Sequence, residues 1–232
     1  MKKILVTGSD GRFAKVLKKT KTKHNFLFFN KKQLNILNFN SIVKIVKKNK
    51  PKYILHLAAL SRPMNIHDKF ISRSIDANII GTCNLVKICH TFKIKLIYFS
   101  TNYVYPGIKG SYKETDPILP WNNYGWSKLG GECAVQMYKN SLIIRACMTE
   151  KPFIHKYAYE NVKCNFIFHD EFIKIFLKII KLKGIINIGG KSQSIYQFAK
   201  KYNRKVKKKS SKGELPLKIY MSLQKVKNLI KK

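Results

Sequence analysis

Arginine, acidic residues and long apolar runs are what this sequence has least of, and each shortage closes off a class of function. Eleven Asp and Glu face 47 Lys and Arg, a formal net charge of +36 over 232 residues. Such a charge invites a nucleic-acid or anionic-membrane partner. Arginine, however, occurs only at positions 12, 62, 73, 145 and 204, and the lysines are scattered over the whole chain. Phosphate and base recognition leans on guanidinium forks interleaved with aromatics, so neither nucleic acid nor membrane is expected as a partner. The excess reads as composition: Lys, Ile and Asn are all abundant, the mark of an AT-rich coding sequence, with attraction of an anionic substrate as a by-product. Charge concentrates most over residues 200–212, where a solvated helix end or loop accounts for it.

No apolar run approaches the roughly 18 residues of a membrane span, and lysines interrupt even residues 172–188. Residues 1–8 begin like an export signal, but the apolar run ends at Val6 and a glycine turn follows, so no export signal is read. The five cysteines, Cys83, Cys89, Cys133, Cys147 and Cys164, form an odd set without a C-x-x-C pair. No histidine stands at metal-ligand spacing from them. A reduced, cytoplasmic compartment and no structural metal are expected. No internal repeat is visible.

What is present suffices to bury a core, since 45% of the residues are hydrophobic. Residues 3–7 read as a buried strand that runs at once into Gly8-Ser-Asp-Gly11-Arg-Phe-Ala14 and a helix turning Val16 and Leu17 inward. In that context backbone N–H groups and a helix N-terminus face an anion. Gly8 would permit the tight turn, Gly11 the approach of a pyrophosphate, and Ala14 the packing of helix on strand. A second strand, 26–29, ends in Asn30-Lys31-Lys32. An acid there would hold the ribose 2′-hydroxyl of NAD, whereas a base accommodates the 2′-phosphate of NADP. No acid is present, which favours NADPH, with NAD as the alternative.

An amphipathic helix (Ile42, Val43, Ile45, Val46) closed by Lys50-Pro51 leads to a strand over 53–57 and to Ala58-Ala59, small residues against which a cofactor can lie. His56 reads as a packed strand residue rather than a base. A helix over about 70–90 carries Asn78, which needs a partner if buried. The alternation βαβαβαβ predicts an α/β fold with a doubly wound parallel sheet. Further strands are read at 141–145, 166–169 and 184–190, and helices at 170–181, from Ser192/Ser194 to Tyr202, and at 223–230.

The chain is organised around residues 100–132. The apolar run 94–99 delivers Ser100-Thr101-Asn102 at the C-terminal end of a strand, where ligands of open α/β sheets sit. Tyr124 and Lys128 are spaced i, i+4 and share one helix face. An ammonium beside a phenol lowers its pKa from about 10. The spacing alone is common on helices, as an amphipathic side chain beside a solvated one. Hydroxyl, phenol and lysine together make a proton-transfer site.

These residues resemble the extended short-chain dehydrogenase/reductases, the NAD-dependent epimerase/dehydratase family of sugar-nucleotide enzymes. Residues 100–107 (STNYVYPG), 112–116 (YKETD), Pro120 and 124–132 (YGWSKLGGE) are similar to the central signature of the dTDP-4-dehydrorhamnose reductases. Gly8-x-x-Gly11, 56–59 (HLAA), Asn78, Arg145, 169–171 (HDE) and 187–190 (NIGG) follow in family order. The resemblance implies a Rossmann domain over 1–145 and a small, reduced C-terminal substrate lobe over 146–232, interleaved with late Rossmann elements. It implies NAD(P)H-dependent reduction at C4 of a dTDP- or UDP-linked 4-keto-6-deoxy sugar. A sugar-nucleotide epimerase or dehydratase, or a non-catalytic NAD(P)-binding regulatory member, are the alternatives, and a homodimer is among the expected states.

By the same resemblance Thr101 would hold the substrate oxygen, Tyr124 act as general acid/base, and Lys128 tune Tyr124 and hold the nicotinamide ribose. Gly8, Asp10, Gly11, Arg12 and Phe13 would surround the pyrophosphate, and Leu57, Ala58 and Ala59 the middle of the cofactor. Asn30, Lys31, Asn78 and Ser100 would complete the cofactor site. Asn102, Tyr103 and Met148 would join Thr101 and Tyr124 around the substrate. Three departures stand out: the third glycine is Ala14, Asn102 replaces the usual aspartate, and the short segment 146–165 pares down the substrate lobe.

Overall fold

The computed structural model describes residues 2–231. The chain forms two compact units: one comprises the residues through Ser100 with Asn122–Ile144 and Leu182–Ile185, the other Thr101–Trp121, Arg145–Lys181 and the residues from Ile186 onward. Both are discontinuous in sequence, and Thr101–Trp121 groups with the C-terminal half although Rossmann elements flank it.

The first unit runs β1 (Lys3–Thr7), α1 (Arg12–Lys19), β2 (Asn25–Phe29), α2 (Phe39–Asn49), β3 (Tyr53–His56), α3 (Ile66–Lys69), α4 (Ile71–Ile75), a π-helical turn (Asp76–Ile80) and α5 (Gly81–Thr91). It continues through β4 (Lys95–Thr101), α6 (Asn123–Gln136) and β5 (Ser141–Ala146), the last residues of β4 and β5 passing into the second unit. The six-stranded parallel sheet has the order β10-β5-β4-β3-β1-β2, closed by β10 (Gly184–Ile188). Central strands of such a sheet are buried on both faces and read as unbroken apolar runs. Every residue of β4 and of β5 is accordingly buried, whereas edge strand β2 is only half-buried along its length.

Local chemistry sets the helix limits. Asn38 caps α2 by accepting from the Ser41 N–H, and Lys50 ends it in the left-handed conformation (φ 46) just before Pro51, which cannot continue a helix. Ile42 and Val46 of α2 pack with Leu5, Ile54, Leu85, Ile88, Leu96, Tyr98 and Val135 as the core of this unit. The helix expected over 70–90 is three segments, with Asn78 inside the π-helical turn. A Cβ on Gly131 of α6 would lie 2.4 Å from the Asn78 carbonyl oxygen and 2.7 Å from the Tyr98 hydroxyl. Only glycine lets α6 approach that turn so closely.

The second unit adds β6 (Met148–Thr149), β7 (Tyr157–Tyr159), β8 (Lys163–Cys164), β9 (Ile167–Phe168), α7 (His169–Ile179), β11 (Gln193–Ser194), α8 (Ile195–Tyr202), β12 (Lys207–Lys209) and α9 (Gln224–Lys231). Its short strands pair as β6 with β9, β8 with β11, and β7 with β12. Phe168, Phe198 and Tyr202 form an aromatic cluster, and a Ser194/Gln197 capping box starts α8. The basic run 200–212 holds the end of α8 and β12, whose three lysines are all exposed. No described helix is long and apolar enough to cross a membrane.

Candidate active site

The strand order reverses between β1 and β3, the place where an open α/β sheet leaves a crevice at its strand ends. A cavity of about 310 Å³ lies there, lined by Gly8, Asp10, Gly11, Lys31, Leu57, Ala58 and Ala59. Leu34, Asn35, Ile36, Leu37, Leu60 and Ala77 complete the wall. None of those six carries a motif, and they are recognisable only once α2 and the π-helical turn are placed beside the sheet. Gly8 has φ +69, and a Cβ on it would fall 2.6 Å from the Ala58 backbone. The loop closes by Gly11 N–H donating to the Gly8 carbonyl at 3.0 Å. Gly11 caps α1 without a side chain, and no acid sits in the first turn, which leaves the backbone N–H groups at the positive end of the helix dipole free of a side-chain cap. A backbone cradle, a positive helix end and Lys31 at the rim form a donor set that fits a dinucleotide pyrophosphate and ribose.

Thr7 holds the cradle in place. Its Oγ1 accepts from Leu57 N–H (3.2 Å) and Ala58 N–H (3.1 Å) and lies 3.0 Å from His56 Nδ1. Thr82 donates to the Asn78 carbonyl at 2.8 Å, so the 3.0 Å contact between His56 Nε2 and Thr82 Oγ1 carries the histidine proton. Burial, and then the charge of Lys128, push the His56 pKa down to about 3. It is a neutral strut between β1 and α5, the packed strand residue read from the sequence.

Several residues assigned to the cofactor also have partners within the chain. The Asn30 side chain and backbone are tied reciprocally to Gln33, at 3.0 Å each. Arg12 is exposed on α1, and Phe13 is buried edge-on against Phe99, centroids 5.0 Å apart. Asn78 spends its whole amide as a brace: Oδ1 accepts from Leu60 N–H (2.8 Å), while Nδ2 donates to the Leu60 carbonyl (2.9 Å) and to Ser127 Oγ (2.8 Å). It thereby ties the loop after β3 to α6, one residue before Lys128. Ser100 donates to Glu132 Oε2 at 2.5 Å.

Helix α6 carries Tyr124 and Lys128, as the spacing predicted. Asn122 starts it by accepting from Gly125 N–H at 2.8 Å. Lys128 is buried, with Nζ 4.1 Å from the centroid of the Tyr98 ring, and burial pulls its pKa down to about 7 despite the opposing charge of Glu132. The ammonium expected to tune Tyr124 is thus itself poised to lose its proton near neutrality. Tyr98 donates to the Lys128 carbonyl at 2.8 Å, and burial, then Glu132, hold its phenol well above the ordinary range. Tyr124 is half-buried, its ring 5.1 Å from that of His67, a residue to which no motif drew attention.

In the second unit, Thr101 Oγ1 accepts from Tyr103 N–H at 3.3 Å and caps the turn Asn102–Val104. Asn102 Nδ2 donates to the Ile219 carbonyl at 3.2 Å. An ionised aspartate could not make that bond, which gives the departure at this position a structural reason. Tyr103 packs against Trp121, centroids 4.9 Å apart, and Met148 is half-buried on β6 opposite Ile167. Arg145 is buried and donates to the Tyr105 hydroxyl (2.7 Å) and the Glu114 carbonyl (3.1 Å), a structural cation. Among the described residues no cluster of His, Cys, Asp and Glu could hold a metal ion.

The family described as RmlD substrate binding domain matches residues 1–149. This chain belongs to that family. Similar curated proteins include a dTDP-4-dehydrorhamnose reductase of Aggregatibacter actinomycetemcomitans, 29% identical over 154 residues that cover 64% of this chain and 52% of the relative. Methionine adenosyltransferase 2 subunit beta of Pongo abelii is 32% identical over 143 residues, 58% of this chain and 42% of the relative. The chain therefore matches only about half the length of these curated relatives. Solved structures share the RmlD-family fold over nearly the whole chain. The dTDP-4-dehydrorhamnose reductase of Bacillus anthracis in complex with NADP superposes with a TM-score of 0.88 at 22% identity, covering 98% of this chain and 92% of that one. The Thermus thermophilus UDP-glucose 4-epimerase complexed with NAD gives 0.80 at 15% identity, covering 97% and 92%.

Proposed function

We propose that this protein is a cytoplasmic NADPH-dependent reductase acting at C4 of a nucleotide-linked 4-keto-6-deoxy sugar. The observation that carries the reading is the pairing, within one unit, of the glycine-cradled cavity at the β1/β3 reversal with a helix that bears Tyr124 and a buried Lys128 of pKa about 7. Lys31 at the cavity wall, with no acid at the end of β2, supports NADPH over NADH. The cofactor, when bound, supplies the hydride; the chain's own residues orient and move protons. Gly8, Gly11 and the start of α1 hold the pyrophosphate, with Ala58 and Ala59 against the middle of the cofactor. Tyr124 gives its phenolic proton to the oxygen that gains charge at C4, and Lys128 returns a proton to it. In the second unit the Thr101 hydroxyl serves as a hydrogen-bond donor to substrate. Asn102, Tyr103 and Met148 of the second unit serve as further substrate contacts.

The similarity to a methionine adenosyltransferase subunit supports a second reading, a non-catalytic NAD(P)-binding subunit, and the fold shared with an epimerase supports a third. One experiment separates them: nicotinamide absorbance is followed with purified protein, NADPH or NADH, and a freshly generated dTDP- or UDP-4-keto-6-deoxy sugar. Oxidation that depends on the sugar and falls about 10²–10⁴-fold in Tyr124→Phe establishes the reductase. Sugar interconversion without net oxidation selects the epimerase, and cofactor binding with neither selects the subunit. Exposed Ile71, Ile75 and Trp126 on the contacting helices α4 and α6 support a homodimer, which sedimentation equilibrium tests.

A further inference from the structure

Among the described residues two buried side-chain nitrogens have no hydrogen-bond partner, Trp121 Nε1 and His67 Nε2. His67 is the more informative. It is 1% exposed on α3, its Nδ1 is bonded to Ser74 Oγ on α4, and its ring lies 5.1 Å from that of Tyr124 at an interplanar angle of 56°. The neighbouring residues clamp this pairing: Asn123 Nδ2, one position before Tyr124, donates at 2.8 Å to Asp68 Oδ1, one position after His67. Two adjacent residues of α3 thus meet two adjacent residues of α6. Leaving a buried nitrogen unpaired costs the full desolvation of that group, so such an atom calls for an explanation.

We infer that His67 is a substrate-binding, specificity-determining residue whose Nε2 takes a hydroxyl of the sugar nucleotide as its missing partner. The inference rests on the reading of Tyr124 as the proton donor at C4, which brings the sugar to the hydroxyl of a ring 5.1 Å from that of His67. A hydroxyl is the group that suits the site whichever way the Ser74 bond runs: if Ser74 donates to Nδ1, Nε2–H donates to the sugar oxygen, and if Ser74 accepts, Nε2 receives the sugar O–H. Charge agrees with this role. Burial lowers the His67 pKa, opposed by Asp68 and by the Ser61 backbone, so the ring is neutral in the physiological range. Ser61 comes close enough to favour protonation, yet no hydrogen bond of normal geometry reaches Nε2. The groups facing the ring are Ser74, Tyr124, Asp68 and the Ser61 backbone.

The test compares wild type with His67→Phe, which keeps a ring against Tyr124 but removes both nitrogens, and His67→Gln, which keeps a polar terminus. NADPH affinity is measured by fluorescence, kcat and KM with the 4-keto-6-deoxy sugar nucleotide, and sugar-nucleotide affinity in the NADP-bound protein by calorimetry, including analogues deoxygenated at C2 or C3. His67→Phe is expected to raise KM about tenfold, the weight of one neutral hydrogen bond, with NADPH affinity unchanged and kcat changed less. His67→Gln recovers part of the loss. One deoxy analogue should bind weakly to wild type and suffer no further loss in His67→Phe. If KM and the deoxy penalties are the same in all three proteins, or if both variants lose NADPH affinity together, His67 is a packing residue and the inference falls alone. A wild type that binds NADPH but no sugar nucleotide overturns the reductase reading and this inference with it.

Discussion

Burial of Lys128 disfavours its ammonium, and the sign of the consequence follows from the two states of the chain. Unfolded, the amine titrates at its ordinary 10.5; folded, at about 7. Between these values the unfolded chain holds the extra proton, so this group opposes folding fully below pH 7 and progressively less as the pH rises toward 10.5. Without cofactor, Lys128→Met should therefore be more stable than wild type by about 2–4 kcal/mol at pH 6, with the gap closing by pH 10, as read from urea midpoints. His56 shows the complementary case. With a pKa drawn from 6.5 to about 3, the native state loses stability as acid drives the proton on between those values. His56→Gln, which can still span Thr7 and Thr82, should flatten the fall in thermal midpoint over that window.

Close approach between elements decides where α6 sits. Gly131 has no room for a methyl group against the Asn78 carbonyl, so Gly131→Ala must push α6 away from the π-helical turn. A loss of about 1–3 kcal/mol is expected from such overpacking, and any shift of Tyr124 would appear as a fall in kcat. Asn78→Ala removes three hydrogen bonds at once, including the tie to Ser127. It should lower the denaturant midpoint and increase amide exchange at Leu60, whose N–H loses its acceptor. A π-turn of this kind often marks a functional site; here it carries the residue that ties the loop after β3 to α6. Gly8→Ala combines a positive φ with a 2.6 Å contact to the Ala58 backbone, and should abolish NADPH binding in fluorescence titrations.

The charge of +36 acts on the molecule as a whole. Self-repulsion at this density destabilises the compact state and is screened within about 10 Å at 0.1 M salt. Raising ionic strength from about 0.02 to 0.5 M, where the screening length falls from tens to a few ångströms, should raise the melting temperature by several degrees. The same salt should raise KM for an anionic sugar nucleotide, since the field that repels the chain from itself attracts that substrate. A melting temperature indifferent to salt would mean that the lysines are spaced widely enough to ignore one another.

Periodicity and turn chemistry act over a few residues, and what depends on them was legible in the sequence: the βαβ alternation, the Gly8 turn, the close of the second helix at Lys50-Pro51, and the shared face of Tyr124 and Lys128. The family signature is of the same local kind. Tertiary structure alone decided how side chains are spent. The hydrogen-bond partners of Asn78 and Ser100, which are Leu60, Ser127 and Glu132, lie eighteen to forty-nine residues away, beyond what any local spacing encodes. His67 carries no motif and gains its place only because α3 folds onto α6. The pKa of Lys128 likewise depends on burial beside Tyr98 and Glu132. A chain's spacing determines which face a side chain shares; desolvation and partners distant in sequence determine what that side chain can do there.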